Sequence, residues 1–162
     1  MKRGHRIAWI KPVAMIVVLL GSASTALSQQ AMTKPLYERL GGVYSIATVV
    51  DDFIERLLVN DVLNANPAIK EARARVPKAG LKFRVTEIVC EATGGPEKYT
   101  GRSMKEAHRH LNITEKEWEA MLADFKKSLD KFAVPEIEQK ELFAIVESTK
   151  KDIVITQGAS KY

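Results

Sequence analysis

The chain has very little cysteine and histidine, and that removes several chemistries at once. Cys90 is the only cysteine among 162 residues. No internal disulfide can form, and no thiolate cluster for zinc or an iron–sulfur centre can be built. Cys90 sits in an apolar stretch and reads as a small core residue. Histidine occurs three times, at His5, His108 and His110. The chain also lacks internal repeats, coiled-coil heptads and β-hairpin signals. Acidic residues are missing from the first 30 positions, which hold Lys2, Arg3, Arg6 and Lys11. The formal net charge of +5 therefore falls to +1 over the remainder, and the pI near 9.3 belongs mostly to the leader. Nucleic-acid binding does not follow from such a distribution.

That basic start precedes an unbroken apolar run, Val13 to Leu20, and a small, polar stretch ending in "ALS" before Gln29. This is the form of a secretory signal peptide. The run is shorter than the roughly 20 residues of a membrane span, although an uncleaved anchor is the alternative. The expected organisation is a signal peptide over 1–28 and one domain over 29–162, exported to a periplasm or secreted, with no membrane association after cleavage. The leader has no paired arginines, so the chain is expected to cross unfolded. A domain of this size can bury a real core.

What is present reads as an all-α fold of about five helices. "SIATVVDDFIERLLVN" places Ile46, Val49, Val50, Phe53, Ile54, Leu57 and Leu58 on one helical stripe. "KPLYERLGG" reads as a short helix ended by Gly41 and Gly42. Residues 60–80 read as an extended connection with at most a helical turn or two at Ile69 to Arg75. "LKFRVTEIVCEA" has three-and-four spacing on Leu81, Val85, Ile88, Val89 and Ala92, which favours helix over strand despite its β-branched residues. Thr114 and Glu117 form a capping box ahead of a stripe of Trp118, Met121, Leu122, Phe125, Leu129 and Phe132. After Pro135 comes the stripe Ile137, Leu142, Ile145, Val146, Thr149 and Ile153.

Both histidines outside the leader lie in "GGPEKYTGRSMKEAHRHLNIT". Ser103 is a plausible N-cap for a short helix. Met104, Ala107, His108 and Leu111 share a face, and His110 lies about 200° round from His108. His108 thus points inward and His110 outward. An inward neutral imidazole can bind a transition metal or a haem iron once its other nitrogen is held, often by a carbonyl one turn back. A satisfied core histidine is the plain alternative.

The segments "LYERLGG", "VVDDFIERLL", "GGPEKYTGRSMKEAHRHLNIT" and "VPE", with a closing helix ending "KDIV", occur in an order that resembles the group I truncated haemoglobins over about Pro35 to Val154. The resemblance implies a two-over-two helical sandwich with haem as cofactor. It puts His108 at the proximal iron-ligating position, and Met104, Tyr99 and Arg102 near the haem or its propionates. Arg84 and Lys82 are further propionate candidates, with a solvated helix face as their alternative.

The distal side departs from the family pattern. Ile54 stands where a tyrosine usually follows the phenylalanine of "DDF". "LNANPAI" replaces a phenylalanine pair, and Val85 aligns where glutamine is frequent, with Leu81 one turn earlier. Ile54, Leu81 and Val85 offer no hydrogen-bond donor to bound oxygen. A rearranged loop could instead bring Asn64, Asn66, Lys78, Thr86 or Cys90 inward. The resemblance implies a protein binding a diatomic gas (oxygen, nitric oxide or carbon monoxide) and served by a redox partner that the sequence does not name. The alternatives are a haem enzyme consuming nitric oxide or peroxide, and a haem-free globin-fold binding module.

Overall fold

The computed structural model describes residues 34–155. The signal-peptide reading of residues 1–28 lies outside them. Among the described residues there are nine helical segments and no strand longer than a single bridge. They are α1 (Leu36–Arg39), α2 (Gly42–Val59), α3 (Asp61–Asn64), α4 (Pro67–Arg75), α5 (Lys78–Ala92), α6 (Met104–His108), α7 (Glu115–Lys131), α8 (Glu136–Ser148) and α9 (Lys150–Ile153). No described helix is long and apolar enough to cross a membrane.

The central element is α2. One side buries Ile46, Val50 and Ile54 against Cys90 of α5. The other side carries Phe53, whose ring meets Phe125 of α7 edge-on at 5.3 Å; Phe125 meets Phe143 of α8 in the same way at 5.3 Å. Edge-to-face pairs add about 1 kcal/mol each beyond their burial. Phe125 and Leu129 of α7 also share a core cluster with Leu36 of α1 and Leu142 of α8. The long helices therefore form two layers, α2 with α5 and α7 with α8, joined where α2 lies on α7. Arg39 fastens α1 to α8 through Glu138 (2.7 Å) and Glu141 (2.6 Å).

Residues 60–80 are not an extended connection. They contain α3, α4 and the first turn of α5. Asn60 and Asn66 are the reason: each side-chain oxygen accepts two amide N–H groups of the turn that follows, at Val62 and Leu63 and at Ala68 and Ile69. Pro67 at the first helical position supports α4 further. Their amide nitrogens reach across the fold, Asn60 to Asp124 Oδ2 at 2.5 Å and Asn66 to the Leu111 carbonyl at 2.9 Å. Helix α5 thus starts at Lys78, three residues before the expected Leu81.

Besides the small Ala92, two large side chains of the expected stripes stay outside the core. Ile137 is 51% exposed and Phe132 37%. Their neighbours are buried instead because they have polar partners. Ser128 donates to Asp52 at 2.8 Å, and Gln139 Nε2 donates to the Val134 carbonyl at 2.8 Å and to Asp130 at 3.1 Å. Cys90 is fully buried, as a small core residue should be.

Asp52 links α2 to α7, accepting from Ser128, Arg56 and Lys131. Burial raises its pKa, but the bonds from Lys131, Arg56 and Ser128 outweigh that and hold the carboxyl at about 2. A carboxyl depressed by folding stabilises above its unfolded pKa, and that stability is lost as pH falls through the folded one. The contribution is therefore full above about pH 4 and gone near pH 2. Asp52→Asn should cost about 1–2 kcal/mol at pH 7 and flatten this acid limb, as urea unfolding at a series of pH values will show.

Candidate functional site

His108 closes α6, a helix of five residues. A helix this short does not persist alone, so its ends have to be held. Ser103 and Glu106 form a capping box: the Glu106 amide donates to Ser103 Oγ at 3.3 Å, and the Glu106 carboxylate accepts from the Ser103 amide at 3.2 Å. On its other side α6 packs on α9. A parallel bridge between Ile113 and Val154 ties the segment after α6 to the segment after α9.

The loop leading to α6 is shaped by close approaches. Gly94 has φ +89°, and a Cβ on Gly95 would lie 2.5 Å from the Tyr37 ring. A Cβ on Gly101 would lie among the ring atoms of Tyr99. Tyr99 folds over Gly101 and donates its hydroxyl to the Arg102 carbonyl at 2.8 Å, while its amide donates to Glu91 at 3.1 Å. The sequence "YTGR" is thus a local turn that aims the chain into α6.

His108 Nδ1 lies 2.8 Å from the Met104 carbonyl, one turn back. This makes Nδ1 the protonated nitrogen and leaves Nε2 with its lone pair; Nε2 has no hydrogen-bond partner among the described residues. The imidazole is largely buried, and burial moves its pKa below the usual histidine value. The Met104 bond opposes this shift and the Arg102 charge reinforces it. The result is a neutral, oriented imidazole with one nitrogen available. His110 is exposed, and its Nε2 accepts from Arg109 at 3.0 Å. The inward and outward assignments of the two histidines follow the helical spacing.

Ile54, Leu81 and Val85 come together in one apolar cluster with Ile46, Val50 and Cys90. Ile54 is 2% exposed. Leu81, Val85 and Ile88 along α5, and Met104, Ala107 and His108 along α6, are only half-buried. Helix α5 packs on α2 and α6 on α9, with little packing between α5 and α6 themselves. Two apolar stripes, one carrying an oriented imidazole, are therefore left uncovered by each other's helix. A flat, mainly apolar group with one metal position suits such surfaces.

The polar alternatives for the distal side are engaged elsewhere. Asn66 caps α4 and holds Leu111. Asn64 donates to the Leu58 carbonyl at 3.2 Å and accepts from Arg73. Lys78 pairs with Glu55 at 2.9 Å, and Thr86 donates to the Lys82 carbonyl at 2.8 Å. Burial, reinforced by Glu97, pushes the Cys90 thiol up to about 11, so it offers no thiolate near neutral pH. Among the rim cations, Lys82 pairs with Asp51 and Glu55 at 2.5 Å each, and Arg84 pairs with Glu87 at 2.7 Å. The Arg102 guanidinium is exposed and has no carboxylate within 4.0 Å among the described residues.

Arg73 is a feature the sequence reading missed. It donates to the Leu57 carbonyl at 2.6 Å and the Leu58 carbonyl at 3.4 Å, closing the C-terminal end of α2 with a cation. The basic residue in an apparently irregular segment gave no sign of which helix it would cap.

Comparison with known proteins bears on the same segments. The sequence profile of the family "Bacterial-like globin" matches residues 35–155. The chain belongs to the bacterial-like globin family. Within it, the chain falls with the group 1 truncated hemoglobins. It is 32% identical over 125 residues to the group 1 truncated hemoglobin of Synechocystis sp., covering 74% of this chain and 96% of that protein. It is 26% identical to the group 1 truncated hemoglobin of Tetrahymena pyriformis, covering 76% and 98%. The Fe(III) structure of truncated hemoglobin from T. pyriformis superposes with a TM-score of 0.64 at 24% identity, covering 76% of this chain and all of that one. The 2/2 hemoglobin from Synechococcus sp., solved in the cyanomet state with covalently attached heme, gives 0.63 over 75% of this chain and 98% of that one. This globin thus has the truncated two-over-two fold.

The geometry around α6 makes the cap a sensitive point of the globin. Ser103→Ala removes the acceptor for the Glu106 amide and should cost about 1 kcal/mol. Hydrogen exchange of the α6 amides should rise before that of α2 or α7.

Proposed function

We propose that this globin is a haem protein whose iron is ligated by His108 and which reversibly binds a diatomic gas on an apolar distal side. The observation that carries the reading is the His108 ring, fixed by the Met104 carbonyl at 2.8 Å on a half-buried apolar face of α6 and presenting an Nε2 with no hydrogen-bond partner among the described residues. Haem held by His108 would supply an iron able to take oxygen, nitric oxide or carbon monoxide.

The chain's own residues do the rest. The Met104 carbonyl fixes the tautomer and orientation of His108 and raises its basicity as a ligand. Met104 and Ala107 share its face and supply apolar contact on the proximal side. Leu81, Val85 and Ile54 wall the opposite side without a donor. Arg102, having no carboxylate partner among the described residues, is the rim cation most available to a propionate, and Tyr99 holds its backbone in place. Lys82 and Arg84 would have to give up their present ion pairs to take that role.

An apolar distal wall cannot stabilise the partial negative charge on bound oxygen. It should favour carbon monoxide and nitric oxide, and oxygen should leave quickly or oxidise the iron. Nitric-oxide dioxygenation through a tyrosine–glutamine pair has no residues to run on here, so ligand binding is favoured over turnover.

Titration of the chain from Gln29 to Tyr162 with haem, followed by absorption, tests the cofactor. Saturable one-to-one binding is expected, unchanged in His110→Ala and with its spectrum altered in His108→Ala. Binding indifferent to His108 would point to a globin fold that serves without haem.

The distal wall has its own test. Ile54→Tyr places a hydroxyl within the apolar cluster and should slow oxygen release about tenfold, the worth of one buried hydrogen bond of about 1.5 kcal/mol. Stopped-flow displacement of oxygen by carbon monoxide measures it, and a ferrous–oxygen complex of the unmodified chain lasting hours in air would sink the apolar-wall reading.

A further inference from the structure

Ion pairing is widespread on this surface. Most Lys and Arg residues of α1, α2, α5, α7 and α8 lie within 4.0 Å of a carboxylate, including Arg39, Arg56, Lys82, Lys127 and Lys140. Around the proximal helix this pattern fails. Arg102, Lys105 and Arg109 have no carboxylate within 4.0 Å among the described residues, nor do Lys116 at the start of α7 and Lys151 on α9. Elsewhere only Lys70 and Arg73 share that state, and Arg73 is bound to carbonyls. All five of these cations are exposed.

Their placement follows from the helix. Lys105 on α6 and Arg109 at its C-cap are four residues apart and share an edge of the helix that adjoins the His108 side, and Arg102 precedes the Ser103 N-cap. Helix α9 packs on α6 and carries the exposed Lys151 next to Asp152, while its Lys150 pairs with Glu115. The acidic residue on α6, Glu106, accepts from the Ser103 cap, and those bonds, with the nearby charges of Arg109 and Arg102, lower its pKa; it offsets one of the three cations. The outcome is a concentration of positive charge on a domain whose charge outside the leader is only +1.

We propose that this α6 face docks an acidic one-electron donor protein, which reduces the ferric iron through the His108 side of the molecule. The proposal rests on the reading of the chain as a haem protein. Charge complementarity names the partner as acidic, because unpaired cations raise its local concentration and orient it. The helix carrying the stripe names it as an electron donor: Lys105 and His108 are three residues apart, so a docked surface comes within about one helix diameter, 10 Å, of the ligating imidazole. The apolar distal wall supplies the need, since iron oxidised by oxygen must be reduced before it binds oxygen or carbon monoxide again. The step balances: the donor loses one electron, the ferric iron gains it, no bond is made or broken, and His108 Nδ1 keeps its proton on the Met104 carbonyl. An anionic membrane fits less well, because the apolar residues of α6 lie on its half-buried face and none is interleaved in the stripe.

The test uses the haem-loaded chain and flavodoxin, an acidic flavin protein, as the probe. Lys105→Glu with Arg109→Glu reverses the stripe and leaves Arg102, a propionate candidate, in place. Association is read by fluorescence anisotropy of labelled flavodoxin, with and without haem. Reduction of the ferric protein by flavodoxin hydroquinone is read by stopped flow, with dithionite as a reductant that needs no docking. Association and flavodoxin-driven reduction should both weaken at least about tenfold, and the wild-type rate should fall as salt screens the charges. The haem spectrum and the dithionite rate should not change. Lys105→Gln with Arg109→Gln, which spares α6 two acids at its C-terminal end, should give an intermediate effect, and Lys140→Glu on α8 none. Equal flavodoxin rates in wild type and double reversal would overturn the proposal. So would binding to phosphatidylserine vesicles that the reversal abolishes while flavodoxin reduction stays the same. A chain that takes up no haem defeats the haem reading itself, and the anisotropy of the haem-free chain still reports on the surface.

Discussion

Helix α2 is buried from two sides at once, and the other elements take their places from that constraint. Ile46, Val50 and Ile54 face α5; Phe53 and Asp52 face α7. Full burial of one such aliphatic side chain is worth about 1.5–3 kcal/mol, so three of them outweigh the weak helical character of the Gly-interrupted entry to α2. The aromatic chain from Phe53 through Phe125 to Phe143 carries the same constraint into α8. The two layers are therefore positioned by one helix that both layers need.

The site depends on this frame indirectly. Helix α6 is too short to be stable alone and has no apolar anchor in the three buried clusters. It is held by its capping box, by the packing of α9 and by Asn66, whose amide grips the Leu111 carbonyl just beyond His108. Asn66 therefore does two things: it starts α4 on one side and restrains the proximal segment on the other. Asn66 and Pro67 together open α4, and the Asn66 amide anchors the chain after α6.

Adjoining sides of α6 have opposite chemistry. The inner face is apolar around an imidazole whose pKa burial lowers; the exposed edge beside it carries the unpaired cations. A five-residue helix can present both because adjacent positions are 100° apart. The proposed iron ligation by His108 and the proposed docking would use different side chains of one element. The polar side chains Asn64, Asn66, Lys78 and Thr86 are each held by a hydrogen-bond or ion-pair partner, near in sequence for Asn64 and Thr86 and distant for Asn66 and Lys78. Ile54, Leu81 and Val85 remain together in an apolar cluster.

Periodicity determined much of this protein without reference to its fold. The stripes of α2, α5 and α7, the capping boxes at Ser103 and Thr114, and the opposite directions of His108 and His110 are local properties, set by 3.6-residue spacing and by caps within three residues. Tertiary structure decided the rest. Whether residues 60–80 coil or extend turned on Asn60 and Asn66 gaining partners as distant in sequence as Asp124 and Leu111. Whether Lys82 is a free rim cation or a paired one turned on Asp51 and Glu55 lying one helix away. Ile137 lost its core place to Gln139 because the bonds to Val134 and Asp130 exist only after α7 and α8 have met. A sequence encodes the period of each helix, but a side chain's partner across the fold is fixed only when the helices pack.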